Sequence, residues 1–427
     1  MKNNSSVLER PVKTESDVLR KEQLPVNKTA VKSSAIAALA LFLTLNVVLS
    51  VSDPIAFDKF KYPYTSWSWW TIKDIQSLPQ ETNNVALLGS SLTVAPINSA
   101  DATYFNESLD QTEYHRVRYL DQALEKKLGG KFRTFNLSCP GQMPSDAYLT
   151  LQAMVNLSEK PAVVLYGIAP RDFIDSNLAG PQDTDSFRYL SRIVSVANDE
   201  NVIYAKPLDK INRTLEKNIY FYKNSMDLQM AFGSMVTDLM NTAAPEPASQ
   251  KPFTYWDRVK LLPEYKKGEF HKYAHMAAPE DLSKPSEFID NQIEYVYRYK
   301  KPKQEQFDMQ MHFLNKLARY TKEEGIKLVL INMPLTKDNL ALLKKEHYDN
   351  YINTMRSFSD NNNIHLLDFN NDNHFVKADF RDTVHMNARG GIKFLELVAS
   401  KLTELDDLKV LLSGSGYKNS LAKEVRK

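Results

Sequence analysis

Val85-Ala86-Leu87-Leu88-Gly89-Ser90-Ser91 is a short apolar run that stops at a glycine and then presents two hydroxyls. Consecutive apolar residues without polar alternation suit a strand buried on both faces of a sheet. Four more runs follow the same plan: Phe132 to Leu137, Ala162 to Tyr166, Ile326 to Ile331 and Ile364 to Phe369. Each ends in glycine, proline or a polar turn. Between them, Tyr119 to Leu128, Asp146 to Val155, Met311 to Glu324 and Gly390 to Leu405 place apolar residues at helical spacing. Strands that alternate with helices predict an α/β fold, a three-layer doubly wound parallel sheet. In such a sheet the ligand site lies beyond the carboxyl ends of the strands, which is where Ser90 and Ser91 fall.

Two features interrupt this plan. Residues 177–310 separate the third strand unit from the fourth and are far too long for a plain loop, so they predict a large helical insertion or lid. Ahead of the sheet, Ser33 to Val51 holds nineteen residues without a charge, about enough to cross a bilayer core of ~30 Å as a helix. Arg20, Lys21, Lys28 and Lys32 precede it, and Asp53 and Asp58 follow. The positive-inside rule then puts the N-terminus in the cytoplasm and the main domain outside. A cleaved signal peptide, with Ser50 and Ser52 as small residues at the cut, is the rival reading, and the long polar leader favours an uncleaved anchor. Tyr62, Tyr64, Trp67, Trp69 and Trp70 suit either an interfacial belt or packing on the domain. The expected organisation is a disordered cytoplasmic segment (1–32), a transmembrane helix (33–51), a juxtamembrane linker (52–82), a split α/β domain (83–176 and 311–407) around the insertion (177–310), and a tail (408–427).

Composition narrows the chemistry. Apolar residues make up 43% and charged residues 25% of the chain, and the net charge is +2, so nothing points to nucleic acid. The single cysteine, Cys139, rules out an internal disulfide and reads more readily as a small buried residue beside Pro140 than as a nucleophile. His271 and His275 share a helical spacing with Glu269 nearby, yet a solvated helix is the better reading than a metal site. No phosphate-cradling glycine loop or dinucleotide fingerprint occurs. No metal or cofactor is expected. Lys300 to Lys303 reads as a solvated turn.

A serine hydroxyl needs a base. Among the eight histidines, only His385 has an aspartate three residues before it, Asp382. The pair lies between the last strand and the final helix, where the chain returns to the crevice. His385 is thus the candidate base for Ser91, Asp382 the group that orients the imidazole, and Asn387 a cap for the next helix. A turn and a surface histidine are the plainer alternatives.

Together these blocks resemble the SGNH/GDSL hydrolase superfamily, whose fold is flavodoxin-like. The resemblance implies Ser91, Asp382 and His385 as the triad. In the block Asn136-Leu137-Ser138-Cys139-Pro140-Gly141, it implies Gly141 as a second oxyanion donor beside the Ser91 N–H. Two blocks depart from the family. Ser90 stands where the first block has aspartate, and Gly167-Ile168-Ala169-Pro170-Arg171-Asp172 lacks the asparagine donor of the third. A lost donor costs about 3 to 4 kcal/mol in some enzymes, and Arg171 is a candidate auxiliary cation or the partner of a nearby carboxylate. The Gly-Ser-Ser turn, the proline in the third block and the membrane helix are similar to the envelope acyl-transfer branch, which includes teichoic-acid D-alanine transfer proteins and alginate-type O-acetyltransferases. That resemblance implies an acyltransferase or esterase acting on an envelope glycan, with a membrane-bound O-acyltransferase as partner. A catalytically inactive glycan-binding or scaffold protein of the same fold, or an unrelated α/β binding module, is the alternative.

Overall fold

The computed structural model describes residues 28–54, 67–68, 71–72, 83–158, 160–175, 180–225, parts of 227–239, 276–371 and 373–413. Tyr62, Tyr64, Trp69, Trp70, Glu269, His271 and His275, the leader 1–27 and the end of the tail lie outside these residues. The chain divides into two compact units, one of residues 1–57 with 208–243, the other of residues 58–207 with 244–427.

The larger unit holds the sheet. Its strands are β1 (Asn83–Gly89), β3 (Phe132–Asn136), β4 (Val163–Ile168), β6 (Lys327–Asn332) and β7 (His365–Asp368), in the order β3-β1-β4-β6-β7 and parallel throughout. All five strands are the runs expected from the sequence. β4 is buried along its whole length, which explains why it reads as unbroken apolar sequence. A two-residue ribbon, β2 (Leu109–Asp110) against β5 (Met276–Ala277), lies apart from the sheet.

Three layers form because helices cover both faces. On one side lie α2 (Ser91–Phe105), α3 (Arg118–Leu128) and α12 (Ala388–Glu404), in mutual contact; on the other, α4 (Pro144–Leu157) packs on α10 (Gln304–Glu323). Between these in sequence come α5 (Arg171–Ile174), α6 (Asp185–Leu190) and α9 (Gln292–Arg298), and α11 (Lys345–Asn362) precedes β7. β1 is the strand from which the order runs both ways, to β3 and to β4. This is the topological switch point, where the crevice of an open α/β sheet forms.

Two glycine clusters bring the elements close. Gly89 and Gly167 are register partners at the strand ends, and a Cβ on either would meet the Thr93 hydroxyl at 2.2 to 2.3 Å. Gly89 also has φ +149°, so it meets both a steric and a conformational requirement. At the other contact, a Cβ on Gly391 of α12 would sit 2.1 Å from the Pro96 carbonyl oxygen of α2.

The smaller unit contains α1 (Lys28–Ser52), α7 (Pro207–Asn218) and α8 (Tyr220–Lys223). α1 includes the apolar span Ser34–Ser52, long enough to cross a membrane and almost wholly exposed. The stretch 177–310 is divided between the two units. Residues 177–207 and 276–310 belong with the sheet, and 208–243 belong with the apolar helix.

Candidate active site

β1 ends at Gly89, Ser90 takes the N-cap position in extended backbone, and Ser91 opens α2. The strand-to-helix turn projects Ser91 into the crevice, with its N–H among the helix's unpaired first-turn donors. The opposite wall is the loop 379–387, between β7 and α12. Asn387 caps α12 by accepting from the Gly390 N–H at 3.0 Å, as its place in the sequence predicts.

The two walls meet. Ser91 Oγ lies 2.9 Å from His385 Nε2, and His385 Nδ1 lies 2.7 Å from Asp382 Oδ2. The other Asp382 oxygen accepts the backbone N–H groups of Val384 at 2.8 Å and His385 at 2.7 Å. Burial acts to raise the Asp382 carboxyl, but its hydrogen bonds from the His385 side chain and from the two backbone amides outweigh this. The group is held below the usual carboxylate value. An ionised Asp382 accepts only, so Nδ1 carries the proton and Nε2 is left as the acceptor for the Ser91 hydroxyl.

The loop that carries Asp382 and His385 is pinned from three sides. Ile289 N–H donates to the Arg381 carbonyl at 2.8 Å. Asn291 Oδ1 accepts from the Thr383 amide and hydroxyl. The Thr336 hydroxyl donates to the Thr383 carbonyl at 2.7 Å.

Gly141 lines the same cleft as Ser91 and His385. Its φ of +78° is the left-handed conformation that favours glycine. Gln142 ties this block to the strand that leads into Ser91. Its Oε1 accepts from Gly89 N–H at 2.7 Å, and its Nε2 donates to the Leu137 carbonyl at 3.0 Å. Arg171 reaches the cleft wall as well and pairs with Asp172 at 3.3 Å. Burial pushes the Asp172 carboxyl up to about 6 against the pull of that guanidinium. Cys139 is half-buried rather than buried, with Sγ 3.2 Å from the Ser186 hydroxyl.

The cleft has a volume of about 570 Å³, within the range of small-ligand sites. Part of its wall consists of residues the sequence did not single out as functional: Trp67, Glu294, Tyr295, Arg298 and Arg381. Trp67 therefore serves the domain. Its neighbours confirm the docking, since the Ser68 hydroxyl bonds Ser186 at 3.0 Å and Ile72 is fully buried. Among the described residues no cluster of three His, Cys, Asp or Glu side chains is arranged for a metal ion.

A parallel sheet read at its switch point and a Ser-His-Asp array on its carboxyl edge define a doubly wound α/β protein with a serine-centred cleft. A family model described as "Protein of unknown function (DUF1574)" matches residues 115–399, more than half of the chain, and the chain belongs to that family. The match takes in Gly141, Arg171, Asp382 and His385 and begins after Ser91. No curated protein sequence matches the chain. Among solved structures, the chain is similar to a candidate acylhydrolase from Bacteroides fragilis NCTC 9343, at 10% identity and TM-score 0.33, over 78% of this chain and 94% of that one. It is similar also to a GDSL-like lipase from Bacteroides thetaiotaomicron VPI-5482, at 9% identity and TM-score 0.32, over 79% and 98% of the two chains. The fold assignment rests on the strand order and register described above.

Proposed function

We propose that this protein is a membrane-anchored, extracytoplasmic serine acyltransferase or esterase of the SGNH type, acting on an envelope polysaccharide or glycan through an acyl-serine intermediate. The observation that carries the reading is the unbroken hydrogen-bond chain Asp382–His385–Ser91 at the switch point of the sheet.

The chemistry follows from that chain. Ser91 Oγ attacks the ester carbonyl carbon while His385 Nε2 takes its proton, and Asp382 stabilises the resulting imidazolium. The oxyanion so formed is met by the N–H groups of Ser91 and Gly141. Collapse breaks the ester C–O bond, and His385 returns the proton to the leaving alcohol. A glycan hydroxyl, or water, then attacks acyl-Ser91; its proton goes to His385 and Ser91 is regenerated. The apolar helix α1 supports the membrane anchor, and the basic leader supports an outer location. A membrane-bound O-acyltransferase is the partner this reading calls for.

A fluorophosphonate probe applied to the folded full-length protein tests it. Labelling of Ser91 that is lost in Ser91→Ala is expected; a folded protein that resists the probe sinks the reading. The absent third-block asparagine favours a second reading, an inactive glycan-binding scaffold of the same fold. That reading requires Ser91→Ala to leave the protein's cellular role intact.

A further inference from the structure

Three guanidinium groups border the cleft, and they are not equivalent. Arg171 is paired with Asp172. Arg298 is held by Asp175 and by Glu294. Arg381 lines the cleft and is half-buried, yet its side chain makes no hydrogen bond or ion pair among the described residues. The carboxylates whose charge acts on it are Asp382 and Glu280, and both are engaged elsewhere. Asp382 binds His385 and two backbone amides; Glu280 accepts from the Ala388 N–H and the Ser286 hydroxyl. A guanidinium carries five donors in a rigid fork, and one that faces a cleft with no protein acceptor keeps that fork free for a ligand. Such a group is explained when an acceptor arrives with the ligand.

We infer that Arg381 is the anchor of an anion subsite in the catalytic cleft, and that the substrate carries an oxyanion, a carboxylate or a phosphate, on its acyl or its acceptor part. The fork matches either group with two parallel hydrogen bonds. The adjacency of Arg381 to Asp382 places this recognition beside the triad, so the anion fixes the ester relative to Ser91. The inference rests on the reading of the cleft as an acyl-transfer site.

Binding and turnover test it separately. Inorganic phosphate and succinate are titrated against the full-length protein and Arg381→Gln by calorimetry. Saturable binding to the wild type that weakens at least tenfold in Arg381→Gln is expected, with Arg381→Lys intermediate because it keeps the charge and loses the fork. No binding to the wild type, or equal binding to all three, overturns the inference. In turnover, the preference for 4-nitrophenyl hemisuccinate over 4-nitrophenyl acetate, as a ratio of kcat/KM, falls in Arg381→Gln if the acyl part bears the charge. The preference for glycerol 3-phosphate over glycerol as acceptor falls if the acceptor bears it. Should Arg381→Gln fail to fold, anion protection of wild-type Arg381 from phenylglyoxal gives the same decision. A protein that binds phosphate through Arg381 while Ser91 resists the probe keeps the subsite and loses the acyl-serine reading.

A different observation carries a second inference. Asn46 is a buried polar residue on the otherwise exposed apolar span of α1. Its amide donates to the Asn218 carbonyl at 3.1 Å and accepts from the Tyr220 N–H, so it satisfies the backbone where α7 breaks into α8. Phe42 stacks on Phe221 with centroids 5.8 Å apart. Asn46 lies six residues before the end of the span, about 9 Å along the helix at 1.5 Å per residue. With α1 in a bilayer, the α7–α8 break would be held below the membrane surface on the side where the rest of the chain emerges. α7 has no buried residue. Leu208, Ile211 and Leu215 form an exposed apolar stripe, while Lys210, Arg213 and Lys217 fall on the opposite face. That is the pattern of a helix lying in a lipid interface.

The geometry points to α7 and α8 as an outer-leaflet element clasped to the anchor, with lipid as the occupant of the apolar stripe. It rests on α1 being in the bilayer. The test uses full-length protein in phosphatidylcholine vesicles, in a Cys139→Ser background, with a fluorophore on Leu43→Cys, Ile211→Cys, Leu215→Cys or Lys210→Cys. Quenching of the 211 and 215 probes by spin-labelled lipid, and of the 210 probe by iodide, is expected. Iodide quenching at 211 and 215 overturns it, and so does protection from both quenchers, which would signal a protein on that face. A Leu43 probe open to iodide would instead remove the anchor itself.

Discussion

Gly391→Ala probes how the fold sets the catalytic distance. The added Cβ would lie 2.1 Å from the Pro96 carbonyl oxygen and 2.9 Å from its carbon. A relaxed contact needs about 3.4 Å, so α12 and α2 must part by roughly 1.3 Å. Neither helix yields easily, since α2 is buried from Leu92 through Ala102. Overpacking of this kind costs about 1 to 3 kcal/mol. The same two helices set the walls of the site, for α2 begins at Ser91 and α12 begins three residues after His385. If half of the separation reaches the triad, the 2.9 Å contact between Ser91 and His385 opens to about 3.5 Å and ceases to be a useful hydrogen bond. A misplacement near 1 Å is worth about 10²-fold in rate. The assay is the rate of fluorophosphonate labelling alongside thermal unfolding. Gly325→Ala is the control: φ is +70° there, with nothing within 4 Å of the new Cβ, so it loses about 1 kcal/mol of stability and no labelling rate. The coupling argument is refuted if Gly391→Ala is destabilised as expected yet labels at the wild-type rate.

Three further outcomes follow from the same geometry. Asp382→Asn replaces the ionised acceptor, permits the wrong imidazole tautomer and is expected to lower acyl-enzyme formation by about 10⁴-fold, read by stopped-flow with an activated ester. Gln142→Ala strips the Gly89 N–H and the Leu137 carbonyl of their partner; it is expected to cost about 1 to 3 kcal/mol in denaturant unfolding and to slow labelling by loosening the Gly141 turn. Burial pushes the Asp121 carboxyl up to about 6 although Thr134 and Arg116 bond it. The native state therefore holds a proton that the unfolded chain releases near pH 4. This group's contribution to stability is present at pH 4 and lost as pH rises through 6, so Asp121→Asn should flatten that fall in a series of unfolding curves.

The sheet was legible because its inner strands are buried on both faces and read as apolar runs, β4 most plainly, while the edge strand β7 is largely half-buried. β2 and β5 were not, since two residues each carry no periodicity. α2 escaped for the opposite reason. It is buried all round and shows no polar face, with Asn98, Ser99 and Asp101 enclosed among its apolar residues. Of the site, Ser91, Asp382 and His385 could be found because each sits at a strand or helix end that the topology sends to the crevice. Trp67, Tyr295 and Arg298 reach the same cleft from segments with no motif. Arg381 did have a signal, a lone charge directly before the aspartate of the triad, but only its missing partner gives that charge meaning.

The stretch from Ile289 to Arg298 ties specificity to catalysis. Ile289 and Asn291 hold the loop that carries Asp382 and His385. A few residues on, Glu294, Tyr295 and Arg298 line the cleft that Ser91 also lines. These residues lie between β4 and β6, outside every strand, so a part of the chain that borders the cleft also holds the loop carrying His385. Pressure on that wall would reach, through α9, the hydrogen bonds that Ile289 and Asn291 make to the loop carrying His385. Transfer profits from such a link, because an acyl-serine should be released only to an acceptor that is already bound. A free hydrolase has no need of it. Under the proposed acyl-serine chemistry, such a link is what transfer, more than hydrolysis, would call for.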